Sequence, residues 1–103
     1  MRPRNDFHDE LVAALGSPYV YFQPPEGLKM YTGNRIIYSR EEIPFNAADN
    51  TKYVGHVRYS VTLVSKDPDW SLVSEFPSLF QYCRHDRHYV ADNLNHDVYI
   101  VYY

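Results

Sequence analysis

The chain of 103 residues carries a formal net charge of −3 and is rich in tyrosine, with 11 Tyr and an aromatic content of 17%. A core worth on the order of 5–15 kcal/mol is within reach of this length, so residues 1–103 are expected to form one domain. The acidic balance argues against a dedicated nucleic-acid binder, the single Cys excludes an internal disulfide, and neither a membrane span nor a signal peptide is predicted. The start predicts a helix, with Asn5 or Asp6 as its cap and Asp9 and Glu10 in the first turn. Phe7, Leu11, Ala14 and Leu15 share one face at helical spacing, and Gly16 supplies the stop. A short strand over residues 19–23 is then closed by Pro24-Pro25.

Residues 26–34 form a loop containing Lys29, Met30 and Tyr31, read either as a clamp over the core or as a partner-binding flap. Residues 35–40 form a second strand. An irregular stretch over residues 41–50 follows, with Phe45, Pro44 and an Asn46-Ala47-Ala48-Asp49-Asn50 turn signal. The clearest strand comes next, where Val57, Tyr59, Val61 and Leu63 alternate with Arg58, Ser60, Thr62 and Val64. Asp67 and Pro68 should open a second helix whose inner stripe is Leu72, Val73 and Phe76, broken by Pro77 near Phe76. Strands over residues 81–90 and 97–103 close as a hairpin around Asp92-Asn93-Leu94-Asn95. Residues 99–103 are apolar on both faces, as a central strand requires. The order predicts an α+β fold: a mainly antiparallel sheet of four to five strands with two helices on one face.

Chemistry concentrates in the last third, where Cys83, Arg84, His85, Asp86, Arg87, His88, His96 and Asp97 lie between β-type segments. Period-two alternation puts His85 and His88 on opposite strand faces, so they are not expected to chelate one ion together. His88 with Asp86, and His96 with Asp97 across the turn, leave a His/Asp cluster open. Cys83 alone does not complete a zinc set, and the Cys83–His85 pair has no evident oxyanion hole or orienting group. No phosphate-binding glycine loop exists among the four glycines. The expectation is no enzyme, no cofactor and no metal. Arg84 and Arg87 suit either a subunit interface or open solvent, and the tyrosine-rich sheet with its long loops suits an assembly component.

Three strings carry a resemblance: Leu15-Gly16-Ser17-Pro18-Tyr19-Val20-Tyr21-Phe22-Gln23-Pro24-Pro25, then Arg58-Tyr59-Ser60-Val61-Thr62 with Lys66-Asp67-Pro68-Asp69, and Asp86-Arg87-His88-Tyr89 running into Ala91-Asp92-Asn93-Leu94-Asn95-His96-Asp97. They resemble a family of small virion proteins from long-tailed bacteriophages, close in size and element order to the tail-terminator proteins of the head-to-tail neck. The resemblance implies a ring, commonly a hexamer, that caps the tail tube protein and meets the head connector or stopper. It implies DNA only as passing cargo, no membrane, and a place in the virion after assembly in the host cytoplasm. Six copies would carry roughly −18, which suits a channel that DNA slides through. Interface residues expected on this basis are Lys29, Met30, Tyr31, Phe45, Arg84, Arg87, His88 and His96. Tyr31-Thr32-Gly33-Asn34 departs from the Tyr-Pro of the family pattern, which implies a freer loop. A minor capsid or other neck protein, a non-viral binding module and a metal-dependent hydrolase built on the hairpin remain as alternatives.

Overall fold

The computed structural model describes residues 3–42 and 55–103, apart from the side chain of residue 42. Its elements run α1 (Arg4–Leu15), β1 (Val20–Phe22), β2 (Arg35–Glu42), β3 (Arg58–Ser65), α2 (Ser71–Glu75), a 3₁₀ turn (Phe76–Ser78), β4 (Tyr82–Ala91) and β5 (Leu94–Tyr102). The five strands form one sheet in the order β1-β2-β3-β5-β4. The fold is α+β, and the sheet is antiparallel except where β1 pairs parallel to β2. A parallel pair needs a return crossover, which residues 23–34 supply without a helix. Phe45 and the Asn46–Asn50 turn signal lie outside the described residues.

The helix-side face of the sheet holds the core. Phe7 and Leu11 of α1 are fully buried, as the helical stripe requires. The Phe7 ring stacks on Tyr59 at 4.5 Å and meets Tyr38, Tyr103 and Phe80 at 4.7–5.5 Å. Burying one such ring stabilises by about 1.5–3 kcal/mol, and each well-placed aromatic pair adds about 0.5–1.5 kcal/mol. Leu72 of α2 and Phe76 of the 3₁₀ turn are buried, and the Phe76 ring lies 4.7 Å from Tyr99 of β5. Two hydroxyls tie the layers together: Tyr99 donates to the Val73 carbonyl, and Tyr103 donates to the Glu10 carboxylate. β5 is an interior strand between β3 and β4, with Val98, Tyr99, Ile100 and Val101 all buried, as a strand apolar on both faces should be.

Both helix starts differ from expectation. Arg4 already belongs to α1 and Pro3 occupies the cap position without a side-chain bond, so Asn5 and Asp6 lie inside the first turn. Proline fits there because its missing N–H would have had no intrahelical partner. α2 begins at Ser71 rather than at Pro68. Asp67 is spent on a local turn, its Oδ1 accepting from the Asp69 N–H at 2.9 Å, which delays the helix by several residues. The hairpin is also tighter than expected. Asp92 and Asn93 alone make the turn, both in the left-handed region (φ 53° and 62°), while Leu94 and Asn95 pair with Ala91 and Val90. Two consecutive left-handed residues form the mirror-image turn that matches strand twist, and Asp and Asn tolerate it.

Candidate functional site

The sequence places three His and three Asp along β4 and β5, and one irregularity decides which of them meet. The pairing shifts between His85 and Arg87: His85 lies opposite Tyr99, Arg87 opposite Val98 and His88 opposite Asp97. Asp86 is the extra residue of a β-bulge, which resets the two-residue alternation. His85 and His88 therefore share the helix-side face, contrary to the opposite-face expectation. Each points a ring nitrogen at the same atom, with His85 Nε2 and His88 Nδ1 both 3.0 Å from Asp97 Oδ1. A carboxylate only accepts, so both nitrogens carry the proton and donate. Asp97 is buried, while the imidazoles stay 41% and 44% exposed. The His85 ring also stands edge-on to Tyr99 at 5.1 Å.

The His88–Asp86 pairing that the sequence left open does not form. Asp86 receives Arg84 on one oxygen and Arg87 on the other, a surface arrangement whose guanidinium side chains are 60% and 63% exposed. His96 does not sit in the turn. It belongs to β5, donates from Nδ1 to the Leu94 carbonyl at 3.0 Å and stacks on Tyr89 at 4.7 Å. Cys83 is half-buried on the His85 side, and burial pushes its thiol up to about 11. A thiol so placed stays protonated near neutrality and is a poor nucleophile. Among the described residues, no group of three or more His, Cys, Asp and Glu side chains is arranged to hold a metal ion. No described helix is long and apolar enough to cross a membrane.

Comparison with family models, curated proteins and solved structures finds no match for this chain.

The loop over residues 26–34 is more firmly docked than its Thr32-Gly33 sequence suggests. The Tyr31 N–H donates to the Tyr21 hydroxyl at 3.0 Å, and its ring stacks on Tyr19 at 3.8 Å and 11°. Arg35 Nη1 donates to the Tyr31 carbonyl at 3.0 Å and to the Gly33 carbonyl at 3.4 Å. A Cβ on Gly33 would lie 2.5 Å from the Tyr31 ring, so any larger residue there would push the ring from its present place. Met30 and Tyr31 thereby meet the β4–β5 turn, lining a pocket of about 340 Å³ with Thr32, Arg35, Lys66, Asp92 and Leu94. Lys29 is exposed beside it. Arg35 and Lys66 carry no sequence signal as site residues, and Asp97 enters the sequence reading only as a partner of His96. Arg35 and Lys66 stand at the ends of strands β2 and β3, where charges are usually only solvated. Asp97 looks like one more acid in a polar run until the pairing with His88 is known.

Proposed function

We propose that this chain is a structural virion subunit, a ring-forming tail terminator in the neck of a long-tailed phage that caps the tail tube and joins it to the head connector. The observation that supports the reading best is the β4 edge. β4 is the longest strand, ends the sheet, and is exposed at every residue from 84 to 90. Among the described residues no strand pairs with its outer side, so its backbone N–H and C=O groups are available to another chain. Tyr89 and Val90, 42% and 64% exposed, add apolar surface at the same place. The opposite edge, β1, has three residues and is bracketed by Pro18 and Pro24. Two dissimilar edges suit a head-to-tail contact, the kind that closes a ring.

On this reading Arg84 and Arg87 face the neighbouring subunit across the β4 edge, and the docked loop with Met30 and Tyr31 meets the tube or the next subunit. This reading assigns the chain no catalytic residue and no cofactor. The test is the Arg87→Glu variant in assembly. It should fold as judged by circular dichroism yet fail to form rings or to dock on tail tubes. Normal ring formation and tube docking by the variant would remove the hairpin from the interface.

A further inference from the structure

The pocket between the docked loop and the β4–β5 turn shares Met30 and Tyr31 with the surface that the assembly reading gives to a partner, yet it has its own chemistry. Its apolar lining comes from Met30, Tyr31 and Leu94, and its charges from Arg35, Lys66 and Asp92. At about 340 Å³ it falls in the lower range of small-molecule sites. Arg35 is the decisive residue. Its Nη1 is committed to the loop carbonyls of Tyr31 and Gly33, which fixes the guanidinium plane. Its Nε is buried and has no hydrogen-bond partner among the described residues. A buried donor without an acceptor is unfavourable, and it is relieved when an acceptor enters. By covalent geometry, Nε–H and one Nη2–H of a guanidinium point the same way, a fork that matches the two oxygens of a carboxylate.

We propose that this pocket binds a monocarboxylate carried on an apolar or aromatic group. The carboxylate sits between Arg35 and Lys66, and the apolar body packs on Met30, Tyr31 and Leu94. Asp92 in the lining disfavours a dianion such as phosphate, because a second negative charge would meet its carboxylate. The wall is preorganised, since Tyr31 is already held by Tyr19, Tyr21 and Arg35, so little ordering is lost on binding.

The experiment is NMR and calorimetric titration of the full chain with 3-phenylpropionate and with the blocked peptide acetyl-Phe-Glu-Phe-amide. Inorganic phosphate and 3-phenylpropylamine serve as controls. Saturable binding of either acid is expected, with shifts at Tyr31, Arg35 and Leu94 and none for the two controls. Binding of the free acid alone assigns a small-molecule ligand, and binding of the peptide assigns an acidic side chain of a partner protein. Arg35→Gln should weaken binding by about tenfold to a hundredfold, the loss of a charge-assisted fork. Because Arg35 also holds the loop, Lys66→Gln is the second variant, expected to lose about threefold with the Tyr31 signals unmoved. The proposal is overturned if neither acid binds, if the amine or phosphate binds as well as the acids, or if both variants bind like the parent chain.

Discussion

Removing Asp97 should cost stability in a pattern that only a bulged β4 can produce. The Asp97 side chain is 9% exposed and its Oδ1 accepts from two imidazoles at 3.0 Å each. A hydrogen bond to a charged group is worth about 1.5–3 kcal/mol when buried. The 41% and 44% exposure of the two His side chains discounts this to about 1 kcal/mol each, because water competes for both. Asp97→Ala should therefore lose about 2 kcal/mol, a fall in Tm of roughly 8–16 °C for a domain of this size. Double-mutant cycles by urea denaturation should give a coupling of about 1 kcal/mol for Asp97 with His85 and again for Asp97 with His88. A regular strand could place only one of the two beside Asp97. Coupling below about 0.3 kcal/mol for either pair would refute the bulged register.

Cys83 should alkylate slowly: with its thiol raised to about 11 from an ordinary 9.0, the thiolate fraction at pH 8 falls about a hundredfold, and iodoacetamide should react correspondingly slower than with free cysteine. A rate near that of free cysteine would show that the site is open. Alkaline conditions should unfold the protein. Burial raises the phenols of Tyr38 and Tyr59 as well as the Cys83 thiol, so each holds its proton more tightly when folded than when unfolded. The Cys83 contribution is intact below pH about 9 and lost as pH rises through about 9–11, and that of the phenols is lost above pH about 10, so the urea midpoint in reductant should be lower at pH 10.5 than at pH 8. An unchanged midpoint would contradict the burial argument. Phe7→Ala should cost about 3–5 kcal/mol, since it empties the centre of a ring cluster, and a loss under about 1 kcal/mol would mean that α1 does not seal the core.

The alternation from Val57 to Val64 was legible because one face of β3 is fully dry and the pattern is periodic. The same holds for the interior position of β5, whose residues 98–101 are apolar without a break. Gly16 marked the end of α1 and adopts the left-handed conformation expected there, φ 79°. What failed was counting through an irregularity. No residue type announces the bulge at Asp86, because Asp is as ordinary on an exposed regular strand as in a bulge. Everything downstream of it, including the meeting of His85 with His88, depends on the pairing partner β5. The starts of both helices failed for a related reason: Asp67 has the right chemistry for a cap but serves a turn instead. Met30 and Tyr31 stood out as apolar residues in a loop, yet their neighbours Arg35, Lys66 and Leu94 come together only through the strand order.

Native mass spectrometry of the purified chain over a range of concentrations tests the assembly reading most directly. The account predicts a discrete ring of about six subunits that the Arg87→Glu variant fails to close. A chain that stays monomeric at every concentration, alone and with tail tube protein added, would contradict it.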